Sequence, residues 1–124
     1  MTTIPNEGLE AVGDLLLNAV AYVALGSGQN ESTTASALEN REYTAQVSNP
    51  NVELVETGTT GEFEVVIRVK GGTEVTGGTD ISEMGVFDGD PAADGTVISI
   101  DEFATKTVEA GHTEEFTIPV DPQR

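Results

Sequence analysis

A chain of 124 residues and 12.9 kDa has room for one domain with one modest core, and its 37% of hydrophobic residues, though low, lies above the disordered range. Acidic residues number 22 against 5 basic ones (Arg41, Arg68, Lys70, Lys106 and Arg124), a formal charge of −17. So few scattered cations cannot track a phosphate backbone or hold an anionic membrane surface, so neither nucleic acid nor membrane is an expected partner; without cysteine there is no disulfide framework and no thiol site.

A body this acidic repels itself unless salt intervenes. The screening length falls from about 10 Å at 0.1 M to about 3 Å at 1 M, and the acid is spread along the whole chain instead of sitting in a tail. This points to a very salty environment, the competing reading being an ordinary acidic protein. Only four Phe and two Tyr are present, so the core leans on Val, Ile and Leu. A core that small gains from burial against copies of itself, which argues for a homo-oligomer.

Residues 6–18 read as an amphipathic helix. Asn6 stands at the N-cap, Glu7 and Glu10 suit the positive end of the dipole, and Leu9, Val12, Leu16 and Ala19 recur at helical spacing, with Gly8 and Gly13 weakening it. Residues 19–25 (AVAYVAL) then read as a buried strand closed by Gly26-Ser27-Gly28. One continuous helix over 6–25 is the competing reading. The run is far short of the roughly 20 residues a membrane span needs, and the first residues lack the cationic start of an export signal.

A polar loop is expected over 26–34 and a short helical turn over 35–40 with Leu38 facing inward. Strands follow at 42–48, 62–70, 81–87, 97–103 and 114–120. The clearest is 62–70: Phe63, Val65, Ile67 and Val69 share one face, and Glu62, Glu64, Arg68 and Lys70 the other, with Val66 the exception. Phe116, Ile118 and Val120 likewise share a face. Glycine turns fall at 58–61, 71–72, 77–78 and 111. About seven short strands separated by turns predict a mainly β fold, an antiparallel β-sandwich with an N-terminal α-helix. The expected division is a helical segment over 1–18, the sandwich over 19–121 and a tail over 122–124.

Few residues suggest chemistry. Asp88, Asp90 and Asp94 have loose metal-like spacing, but a calcium loop counted from Asp88 would need an acid or amide at Ala92, Gly at Ala93 and Glu at Ser99. The plainer reading is a turn opened by Asp90-Pro91 and closed by Asp94-Gly95. His112 is the single histidine and follows Gly111; zinc would need it with carboxylates alone, and no G-x-S-x-G elbow supports a serine triad. No cofactor and no enzyme activity are expected. Gly26-Ser27-Gly28 lacks the Gly-Lys pair of a phosphate loop, and Asn30-Glu31-Ser32 is an acceptor triplet for glycosylation. Gly85, inside a strand pattern, implies a bulge or a close backbone approach. Glu83, between apolar neighbours, either pairs with Arg41 or Arg68 or faces solvent.

Two blocks resemble small structural proteins of tailed viruses. The first runs Tyr22-Val-Ala-Leu-Gly26-Ser-Gly28, then a Thr- and Ala-rich stretch, then Leu38-Glu39-Asn40-Arg41-Glu42-Tyr43. The second is Ile81-Ser-Glu83-Met-Gly85-Val-Phe87-Asp88, then Asp94-Gly95-Thr96-Val97, Phe103 and a closing alternating strand. It is similar to the tail-fibre or tail-collar pattern I-x-E-x-G-φ-F-D, where φ is apolar. Together the blocks cover roughly two thirds of the chain in the family's order. The heavier acidity and the proline-containing loop after Asp88 depart from the pattern in a way that fits a haloarchaeal virus.

The resemblance implies a virion protein, part of a tail fibre or baseplate, with head decoration or a turret as the alternative. Its implied partners are copies of itself, other virion proteins and, at the particle surface, the host. Contact between subunits is expected at Leu9, Val12, Leu16 and Val20, since a helix appended to a small sandwich packs readily against a neighbour; the alternative is that it covers one end of its own sheet. A calcium- or carbohydrate-binding β-module is the competing class, and it would bind calcium at Asp88, Asp90 and Asp94.

Overall fold

The computed structural model describes residues 11, 15, 17–28, 38, 40–57, 61–93 and 95–120. Seven strands form two antiparallel sheets packed face to face: β1 (Tyr22–Gly26), β2 (Arg41–Gln46), β3 (Val52–Glu56), β4 (Phe63–Lys70), β5 (Thr79–Phe87), β6 (Val97–Val108) and β7 (Thr113–Val120). The larger sheet has the order β2-β1-β5-β6 and the smaller one β3-β4-β7. Every named pairing is antiparallel. The expected β-sandwich is therefore the fold.

The main core lies between the sheets. Val65, Ile67, Val69, Phe116 and Ile118 come from the smaller sheet, and Val23, Leu25, Ile81, Met84, Val86 and Val108 from the larger. In β4 the period-two pattern holds, with the Phe63 face buried and Arg68 and Lys70 exposed. Val66 is buried as well, although it sits on the outer side, where its register partners are Glu53 and Thr117. A second, smaller cluster of Ala24, Leu38 and Phe87, flanked by Tyr22, Val97 and Ile100, covers the outside of the larger sheet. Two-sided burial is why β1 reads as an unbroken apolar run instead of an alternation.

Several expected boundaries move. Ala11, Leu15 and Leu17 to Ala19 are helical, and β1 starts only at Tyr22, so neither a strand from residue 19 nor a helix through 25 is formed. Ala19 is exposed, and Leu17, outside the expected apolar face, is the residue that packs on the core. Leu38 is buried as expected but is not helical. β3 is an edge strand whose V-E-L-V-E sequence breaks the alternation and hides it. β6 continues five residues past its expected end at Phe103, to Val108.

One end of the sandwich is closed by two interlocked turns. Gly71 N–H donates to the His112 carbonyl at 3.1 Å, Gly111 N–H to the Gly71 carbonyl at 2.9 Å, and Gly78 N–H to the Val108 carbonyl at 2.8 Å. A Cβ on Gly71 would collide with the Glu109 backbone, so only glycine fits this crossing.

Candidate functional site

The motif strand β5 is buried along all of Ile81 to Phe87, yet its side chains do not alternate regularly. Ile81 pairs with Lys106 and Glu83 with Glu102, which leaves Phe103, Ala104 and Thr105 of β6 opposite Ser82 alone. Extra residues in one strand twist and re-aim the pair. Ile81 and Met84 join the main core, while the two residues between them reach the same segment outside the sheet, the β1–β2 connection.

Ser82 Oγ donates to the Gly28 carbonyl at 2.8 Å. Glu83 Oε2 accepts the backbone N–H of Gly28 at 2.9 Å and that of Asn40 at 3.1 Å, and the Glu83 side chain is 0% exposed. One carboxylate oxygen thereby ties together both ends of the connection between β1 and β2. Two amide donors on one oxygen satisfy it where the Glu83 side chain is closed off from water. Gly26 makes the approach possible, since a Cβ there would lie 2.6 Å from Glu83 Oε2 and 2.7 Å from the Asn40 carbonyl oxygen. Outside the tie, Asn40 Nδ2 donates to Ser27 Oγ at 2.6 Å and to Glu42 Oε1 at 3.2 Å.

Glu83 does not face solvent, which corrects that reading. Arg68 lies in the other sheet, where its Nε meets Glu115 at 3.0 Å and its Nη2 meets Glu53 at 3.4 Å. Arg41 is exposed at the start of β2. Gly85 keeps regular register with Ala24 and Ile100, so it marks no bulge. It makes room for side chains: a Cβ would stand 3.0 Å from the Phe87 ring and 3.2 Å from Leu38 Cδ2.

The acidic turn satisfies its own backbone. Asp88 Oδ1 accepts the Thr96 N–H at 2.6 Å, and Asp90 Oδ1 accepts the Ala92 N–H at 2.9 Å, an Asx turn. The Asp90 carbonyl also receives the N–H groups of Ala93 and Gly95, each at 3.0 Å. Asp88 and Asp90 are both exposed, and Asp94 lies outside the described residues. Among the described residues no group of three or more His, Asp or Glu is arranged to hold a metal ion.

His112 is exposed, and its backbone serves the interlocked turns. Tyr43, on β2, is a partly buried phenol. Burial pushes its phenol above the ordinary 10.0, the Glu74 charge adds to this, and a hydrogen bond with Asn49 opposes it.

Of the residues expected to meet a neighbouring subunit, Leu9, Val12 and Leu16 lie outside the described residues, as do Asn30 and the expected tail. Val20 is 4% exposed and belongs to the main core with Val23 and Leu25, so its side chain is taken up within its own chain. Among the described residues in this part of the chain, the large apolar side chain left exposed is Leu15, at 71%. It sits in a Leu15-Leu16-Leu17 run, where helical spacing alone does not say which leucine turns outward.

No helix among the described residues is long and apolar enough to cross a membrane. Compared with known proteins, the chain matches no family model and no curated relative.

Proposed function

We propose that this chain is a structural module of a tailed-virus particle, placed in a tail fibre or baseplate and held there beside copies of itself. The observation that carries the reading is the use made of the Ile81–Phe87 strand. Ile81 to Phe87 of the second resembling block are buried throughout, with Asp88 exposed at the end, and they serve as framework: two cores and one tie to a neighbouring connection. Such a strand preserves a shape and leaves recognition to the surface.

Leu15 is the surface group that fits self-association. A leucine 71% exposed gains about 1–2 kcal/mol from burial against another apolar surface, and molar salt removes most of the repulsion between two bodies of charge −17.

Sedimentation of the full chain at molar salt tests the assembly. The expected result is a species larger than 12.9 kDa that Leu15→Glu shifts toward the monomer. A monomer at every concentration would sink the self-assembly. The particle role is tested separately by mass spectrometry of purified virions from the source, in which the chain is expected as a stoichiometric component. Saturable calcium binding lost in Asp88→Asn would favour the binding-module class instead.

A further inference from the structure

We propose that the free edge of β6 is where two copies of this chain meet, strand against strand and antiparallel, so that their larger sheets run together as one. The proposal deepens the self-assembly put forward above and rests on it. The two sheets present four edge strands, β2 and β6 on the larger and β3 and β7 on the smaller. A long, uninterrupted edge invites another strand, and natural edges are kept short or are broken by proline. β2 has six residues, β3 five, and β7 eight with Pro119 among them. β6 has twelve, Val-Ile-Ser-Ile-Asp-Glu-Phe-Ala-Thr-Lys-Thr-Val, with neither proline nor glycine. Among the described residues, no turn or loop backbone bonds to the backbone of residues 97–100 or 103–107. Lysine often guards such an edge, but Lys106 leans over β7, its Nζ 5.3 Å from the Phe116 ring centre and 3.5 Å from the Glu115 carbonyl oxygen.

The register follows from the faces. Asp101 lies opposite Met84 and Lys106 opposite Ile81, and both partners belong to the main core, so Asp101 and Lys106 point to the same side of the sheet. In a regular strand residues five apart lie on opposite sides; the slip of β6 against β5 brings these two to one side. Ile100 and Thr107, opposite Gly85 and Asp80, point to the other side. A two-fold axis between Phe103 and Ala104 therefore sets Asp101 against Lys106 of the second copy and Ile100 against its Thr107, each pairing made twice and each on a common face. No two like charges stand opposite in this register. An ammonium has three donors, more than the Lys106 contacts within its own chain use. The ion pair fixes which residues meet, and the main-chain bonds of the joined strands hold them.

Oxidative cross-linking of the full chain at molar salt tests the pairing. The chain has no cysteine, so an introduced one reports only on itself. Residues directly opposite have Cα atoms about 4.5–5.5 Å apart, within disulfide reach, whereas the two copies of residue 101, or of residue 106, would stand about 17 Å apart along the strands. Asp101→Cys mixed with Lys106→Cys is expected to form a covalent dimer about tenfold or more faster than either variant alone. In the wild type, β6 amides are expected to slow in hydrogen exchange as concentration rises, while those of β2 and β3 stay unchanged. A mixture that links no faster than its components, with the wild type still assembled, would overturn the pairing and leave the self-assembly standing. A wild type monomeric at every concentration would end both. Should either cysteine variant fail to fold, the exchange still decides: protection that arises on β2 or β3 and not on β6 would overturn the pairing.

Discussion

The strands of the larger sheet carry Glu42, Asp80, Glu83, Asp101 and Glu102 against Arg41 and Lys106; those of the smaller sheet carry Glu53, Glu56, Glu64, Glu114 and Glu115 against Arg68 and Lys70. The inventory of charge is the same, and its use is different. In the smaller sheet Arg68 bridges Glu53 and Glu115 on a wet outer face, with side chains roughly half exposed. In the larger sheet one carboxylate is withdrawn from water completely and held by backbone amides. Exposed ion pairs contribute about 0–1 kcal/mol each, whereas a buried charge deprived of its partners costs several times more. Among the described acidic residues, Glu83 is the one whose side chain is withdrawn from water completely.

Four measurements break or sharpen that contrast. Glu83→Ala leaves the Gly28 and Asn40 amides without their acceptor, and a loss of about 3 kcal/mol or more is expected in denaturant unfolding at molar salt. Gly71→Ala, at the crossing of the turns that belong to neither sheet's face, is expected to cost about 2–3 kcal/mol, because its Cβ meets backbone that cannot step aside. Arg68→Ala is expected to cost less than about 1 kcal/mol, and less still as salt rises. A loss equal to that of Glu83→Ala would erase the difference between the sheets.

The smallest effect concerns Tyr43. A phenol whose pKa is raised in the fold adds stability that is complete below pH 10.0 and is lost as pH climbs through the folded value. The wild type is accordingly expected to weaken slightly more than Tyr43→Phe above that pH in matched unfolding titrations.

The sandwich was legible in the sequence where apolar and polar side chains alternate. Phe63 to Lys70 and Phe116 to Val120 announce themselves by alternation, and the observed strands agree to within a residue. β3 was not legible, because Leu54 and Val55 are adjacent and an edge strand answers to fewer neighbours. The start of β1 was misplaced for the opposite reason: buried on both faces, its run gives no period by which to separate helix from strand.

The candidate site divides in the same way. Asp90-Pro91 announces a turn by local chemistry, and the turn is there. Glu83 was visible as an anomaly, a charge among apolar residues, but its partners are main-chain amides more than forty positions away. Amides are the same in every residue, so no side chain advertises them. Arg41 and Arg68 drew attention because they are charged, although neither of the described bonds uses them.

The register slip between β5 and β6 has a bearing on transplanting this module. Three residues of β6 face one of β5 there, and that offset sends Ile81 one way and Glu83 the other. A chimera that took the motif strand without its partner's two surplus residues would carry the alternation of Glu83 to Phe87 on through Ile81 and turn that side chain out of the main core. The two segments, well apart along the chain, can only be grafted together.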